Sequence, residues 1–151
     1  MDGVKNYLQL LGRVIVGAFL LFNAFNHFAN LGMMTAYAAS KVVPLPSLAV
    51  LGSGLLLAAA GLSLLLGYRI DIGIAALALF LLPVTLMMHD FWNVEGQARV
   101  AEMVNFLKNF AILGSSLVWL AAPSPLPLSL ESWLAARGRS KIVTRPLDQH
   151  G

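Results

Sequence analysis

The 151-residue chain is 58% hydrophobic and only 11% charged, with a mean hydropathy of +0.77, whereas a soluble domain is nearer half apolar and a quarter charged, so a water-soluble globular fold is excluded. It has no cysteine, which excludes disulfides, thiolate metal sites and CxxC redox chemistry carried by the chain itself. The net charge of +3 could suit nucleic acid, but the basic residues gather at the C-terminus and the helix flanks instead of interleaving with exposed aromatics; no nucleic-acid partner is expected, and the expected partner is a lipid bilayer.

The composition therefore predicts an all-α fold, an integral membrane four-helix bundle with room for about four spans of roughly 20 residues each. The first span covers about residues 8–28 and is apolar apart from Gln9, Arg13, Asn23, Asn26 and His27. Ala36-Tyr37-Ala38 resembles a signal-peptide cleavage site but lies far beyond the apolar stretch, so cleavage is not expected. Arg13 lies about one turn inside the span; snorkelling to the nearer surface is the expected state, and pairing with an acid on another helix is the specific alternative. Asn23, Asn26 and His27 fall at i, i+3 and i+4 and so share one face, which avoids lipid. Residues 29–46 form a loop punctuated by Pro44-Leu45-Pro46 and long enough for a short surface helix.

The second span, about residues 47–66, carries Gly52, Gly54, Ala58, Gly61 and Ser63. Small residues let backbones approach where no hydrophobic effect drives association, so this helix is expected to be the most closely packed by its neighbours. No GK[ST] signature follows, which removes a nucleotide loop. Gly67-Tyr68-Arg69 reads as a tight turn into the third span, about residues 70–88, which opens with Asp71 and is expected to bend near Pro83. Asp71 lies at the depth of Arg13 with the opposite sign, so a pair across the bundle is the specific expectation for both.

The third span ends in Met88-His89-Asp90-Phe91-Trp92-Asn93. Thr85, His89 and Trp92 stand at i, i+4 and i+7, which on a continuous helix gives one polar, partly aromatic stripe. A polar loop over residues 89–102 precedes the fourth span, about residues 103–122, whose opening turns carry Glu102, Asn105 and Asn109 on one face and Lys108 on an adjoining one. Residues 123–151 read as a Pro-rich linker that cannot continue a helix, a short interfacial helix with Ser129 as N-cap and Trp133 as headgroup anchor, and a basic tail.

Four spans put both termini on one side together with the Gly67–Arg69 turn. Lys5, Arg13, Arg69, Arg137, Arg139, Lys141 and Arg145 lie there, against Lys41, Arg99 and Lys108 on the other. The positive-inside rule then predicts cytoplasmic termini in the inner, or plasma, membrane. With that orientation, polar residues of three helices meet at one outer depth. The candidate pocket comprises His27, His89, Asp90, Trp92, Asn105, Lys108 and Asn109. A quinone headgroup would want a His, an Asn or Lys donor and aromatic walls at this depth. No HxxxH or HExxH spacing brings the rings together, so no metal is expected. A structural polar network that sets helix register and binds a partner accounts for the same residues.

Taken together, Leu11-Gly12-Arg13 with Gly17, Pro44-Leu45-Pro46, Gly61 to Gly67 with Tyr68-Arg69, His89-Asp90-Phe91-Trp92, Asn105-Phe106-Leu107-Lys108-Asn109 and Ser129-Leu130-Glu131 make a chain that resembles the DoxX family of small four-span membrane proteins. The likeness covers nearly the whole chain, and the order of the motifs is its strongest part. It implies association with membrane redox systems, including subunits of thiosulfate:quinone oxidoreductase and partners in thiol-oxidative-stress complexes. Many members carry a glutamate in the second span; here no Asp or Glu stands between Asp2 and Asp71. The expectation is an accessory or quinone-proximal subunit of a membrane redox assembly, without catalysis of its own and bound to a redox partner protein or to copies of itself. The rival expectation is a carrier or assembly factor that holds a small ligand or partner protein in its outer pocket.

Overall fold

The computed structural model describes residues 2–143. Six α-helices follow in order: α1 (Asp2–Ala29), α2 (Leu31–Ser40), α3 (Pro46–Leu66), α4 (Ile70–Met88), α5 (Gly96–Leu117) and α6 (Leu130–Val143), with single 3-10 turns at Phe91–Asn93 and Val118–Leu120. The described residues contain no strand. Four stretches, Gly3–Ala29, Pro46–Leu66, Ile70–Asn93 and Gly96–Leu120, are long and apolar enough to cross a membrane.

Local chemistry sets the boundaries of α3. Pro46 stands in its first turn, where a missing N–H loses nothing. Gly67 ends it at φ 61°, the left-handed conformation that a residue without Cβ adopts freely. The Gly67 and Tyr68 N–H groups then donate back to Leu64 and Ser63 at 3.3 and 3.1 Å, closing a Schellman motif. Ser63 adds its hydroxyl to the carbonyls of Tyr68 and Arg69 at 2.8 and 3.0 Å, so the turn into α4 has its polar groups paired.

The small residues place α3 at the centre, packed by α1 on one side and α4 on the other, with α2 crossing its far end. A Cβ on Gly17 would stand 3.0 Å from the Gly61 carbonyl oxygen, and a Cβ on Gly61 would stand 3.0 Å from the Gly17 carbonyl, so α1 and α3 touch backbone to backbone. Gly73 of α4 instead leaves room for the Ser63 side chain. Around these contacts Leu20, Leu57, Leu64, Ile74 and Leu77 are buried, while Phe22, Phe25, Leu48 and Leu55 remain exposed and meet lipid. α5 packs on α4, and α1 meets the far side of the bundle where Trp119 lies against Gly12. That contact is at the termini end of the bundle.

Arg13 departs from both expectations. It is fully buried rather than snorkelling, and its Nη2 donates to the carbonyls of Pro127 and Leu128 at 3.0 and 2.9 Å. Gly67 packs directly over it. Asp71 instead forms a forked pair with Arg69 at 3.2 and 3.1 Å in an exposed position. The physical reason is local: Arg69 stands two residues from Asp71 on the rim, whereas the Arg13 guanidinium finds carbonyls freed by the Pro-rich linker.

The stripe of Thr85, His89 and Trp92 is also broken. α4 stops at Met88, and His89 is its C-cap with φ −117° and ψ 48°. Thr85 is buried in the bundle, while Trp92 is half exposed on the 3-10 turn. α5 begins at Gly96, ahead of its apolar stretch, because hydropathy marks the lipid slab and not the helix end. Ser129 caps α6: its hydroxyl accepts from the Ser132 N–H at 3.0 Å and the Ser132 hydroxyl accepts from the Ser129 N–H at 3.2 Å. α6 continues to Val143, with Arg137 over the Trp133 ring at 4.2 Å.

Candidate functional site

Away from the termini end, a cavity of about 400 Å³ lies between α1 and α5, backed by α3 and α4 and crossed by α2. The volume is in the range of small-molecule sites. Its walls are mainly apolar: Leu20 from α1, Val50 and Leu57 from α3, Phe80, Leu81 and Val84 from α4, and Ile112 from α5. Pro83, Met87 and Met88 line it from the end of α4, and Met34 and Tyr37 from α2.

Of the residues predicted from sequence, His27, His89, Lys108 and Asn109 line this cavity; Asp90, Trp92 and Asn105 do not. α1 delivers His27 one turn after Asn23, and the ring Nδ1 lies 2.8 Å from the Asn23 carbonyl oxygen. A carbonyl only accepts, so Nδ1 carries the proton and, in the neutral ring, Nε2 carries the lone pair. Phe80 meets the His27 ring edge-on, with centroids 5.9 Å apart. The end of α4 delivers His89, whose Nδ1 lies 2.8 Å from Glu102 Oε2. This carboxylate orients the second ring in the way the Asn23 carbonyl orients the first.

Glu102 is the centre of a polar strap beside the cavity. Its Oε1 is 3.5 Å from the Tyr37 hydroxyl and 4.0 Å from Lys41 Nζ. The Tyr37 hydroxyl also stands 3.4 Å from the Met88 carbonyl oxygen. Lys41 makes its close ion pair with Asp90, whose second oxygen accepts from Asn93 at 2.9 Å. Asp90 thus ties the loop after α2 to the loop after α4 and stays outside the cavity. The hydrogen bond to Asp90 holds the Lys41 ammonium above the usual lysine range. Burial pushes the Tyr37 phenol up, and the charge of Glu102 adds to the shift.

On α5, Lys108 Nζ donates to Asn105 Oδ1 at 2.9 Å, so Asn105 positions the lysine without lining the cavity. Lys108 has no ion pair among the described residues. Trp92 packs edge-on against Phe91 and Phe106, an aromatic group outside the cavity. Among the described residues, no three His, Cys, Asp or Glu side chains gather as a metal donor set.

Sequence reasoning placed Tyr37 and Lys41 in the loop of residues 29–46 and assigned neither to the site; Tyr37 stands on α2 and Lys41 is the residue that caps its end. It placed Asn23 and Glu102 in the polar set that converges at the outer depth but not among the candidate pocket residues. The i, i+4 relation of Asn23 to His27, and the placement of Glu102 opposite the end of α4, are the signals that bear on them.

Comparison with known proteins agrees with the architecture. The chain is 27% identical over 124 residues to the Escherichia coli K12 inner membrane protein YphA, covering 82% of this chain and 88% of that protein. No solved structure matches. The DoxX family pattern matches residues 8–90, a stretch that runs from α1 through α4 and contains both cavity histidines. With its four apolar spans and its inner-membrane relative, the chain is a multi-pass inner-membrane protein that belongs to the DoxX family.

Proposed function

We propose that this protein is a subunit of a membrane redox assembly that holds the headgroup of a lipid-soluble quinone in the cavity between α1 and α5. It orients the ring and leaves electron transfer to a partner protein. The observation that carries the reading is the composition of the cavity: a mostly apolar chamber of about 400 Å³ into which the ends of α1 and α4 bring His27 and His89 and the middle of α5 brings Lys108 and Asn109. Apolar walls with a few convergent polar groups suit a ring that carries oxygens and an isoprenoid tail. A polar network that served only to hold helices together would pair its groups with one another, yet Lys108 uses its ammonium on Asn105 alone among the described residues. The basic residues near both termini support a cytoplasmic placement of those ends, with the cavity in the outer leaflet.

The test is binding of decylubiquinone to the purified protein in lipid nanodiscs, with empty nanodiscs as the partition blank. Saturable binding is expected, and Ser53→Phe, which places a ring in the cavity from α3, should abolish it. Binding that is unsaturable, or that survives the filled cavity at full strength, refutes the reading.

A further inference from the structure

The two cavity histidines are held in ways that fix what they can offer a ligand. The Nδ1 of His27 is committed to the backbone carbonyl of Asn23 at 2.8 Å, and the Nδ1 of His89 to the Glu102 carboxylate at 2.8 Å. Both partners accept and neither donates, so both rings carry their proton on Nδ1. The remaining polar atom of each neutral ring is Nε2, an acceptor, and no group of the described residues bonds either one. With both rings neutral, two residues lining one mostly apolar cavity each have an unpaired acceptor for a ligand's hydroxyl.

From this we infer that the cavity selects the hydroxyl-bearing, reduced form of its ligand, a hydroquinone or a phenol of similar size, over the carbonyl-bearing oxidised form. The inference rests on the quinone reading of the cavity and adds to it the redox state that is bound. A hydroxyl both donates and accepts, while a quinone carbonyl only accepts. Lys108 and Asn109 can donate to either oxygen, so they do not discriminate. The Nε2 atoms do: a hydroxyl pairs with them, and a carbonyl brought against them leaves two acceptors facing each other among mainly apolar walls. Sites built to pair a hydroxyl reject the analogue that lacks it far more strongly than apolar pockets reject a misfit methylene. One such pairing should separate the two forms by about tenfold in affinity.

The experiment compares decylubiquinol with decylubiquinone, kept in their redox states anaerobically, on the full chain in nanodiscs. The expected result is a quinol dissociation constant about tenfold lower, which for a two-electron couple is a bound midpoint potential raised by about 30 mV. His27→Phe keeps a ring against Phe80 but removes the lone pair, and it should bring the affinity ratio toward one. His89→Phe provides the same readout at the second ring should the first variant fold poorly. Equal affinities in the native protein, a preference for the quinone, or a quinol preference that survives in both variants each overturn the inference while leaving the quinone reading in place. Failure of both forms to bind overturns that reading and the inference with it.

Discussion

Replacing Arg13 by methionine should release the C-terminal segment without unfolding the spans. The buried guanidinium donates to the Pro127 and Leu128 carbonyls at 3.0 and 2.9 Å. Hydrogen bonds from a charged donor contribute about 1.5–3 kcal/mol each, so their loss weakens the docking of this segment by at least about 3 kcal/mol. The spans experience a smaller change, because the same substitution removes a buried charge whose Nε and Nη1 have no hydrogen-bond partner among the described residues. Desolvating such a charge costs several kcal/mol, and an apolar side chain of similar length offsets much of what is lost. The melting temperature in detergent should therefore move by no more than a few degrees. Hydrogen–deuterium exchange over residues 122–132 should accelerate about a hundredfold, the factor that corresponds to about 3 kcal/mol. Arg13→Lys keeps the charge but not the fork, and should fall between the two. Adding Asp71→Leu should change nothing, since Asp71 is held by Arg69. Unchanged exchange in Arg13→Met, or a response to Asp71→Leu, refutes the assignment of the guanidinium as the clamp on this segment.

Gly17→Val pushes side-chain atoms into the Gly61 carbonyl and Leu65, and should destabilise the α1–α3 contact by about 1–3 kcal/mol, read as a lower melting temperature in detergent. Asp90→Asn breaks the ion pair to Lys41 that ties the loop after α2 to the loop after α4, and should make Ala38→Cys on α2 label faster with an impermeant maleimide. Lys41 and Tyr37 both titrate above their ordinary values, so the stability they contribute is present through the neutral range and is lost as the pH rises past about 10 and through the raised values. Melting temperature should accordingly fall in that alkaline window and fall less in Asp90→Asn; loss of the strap on acidification through neutrality would contradict this sign. A reporter fused to the C-terminus should be active only in the cytoplasm, and periplasmic activity would reverse the orientation of the cavity. Cysteines placed together at His27 and His89 in this cysteine-free chain should crosslink with a short bifunctional reagent, as expected of two residues lining one cavity.

Composition and periodicity alone determined that the chain crosses the membrane four times, that α3 is the tightly packed helix and that the turn after it needs Gly67. These are local or one-dimensional properties: apolar length follows from bilayer thickness, close approach from side-chain size, and the turn from a positive φ. Polar residues of α1, α4 and α5 could be assigned to one depth because depth along a span is counted in residues. Rotation about each helix and the path of the connecting segments are not counted that way. Tertiary packing decided that Asn109 and Lys108 line the cavity while Asn105 holds the lysine from beside it. It also decided that Asp90 serves Lys41, that Glu102 serves His89, and that α2 crosses the cavity with Tyr37. Arg13 shows the same division. Its charge inside an apolar run was plain in the sequence, but its partners are backbone carbonyls more than a hundred residues away. No pattern of side chains marks a carbonyl as free, since every residue has one, and only the fold determines which of them a buried donor reaches.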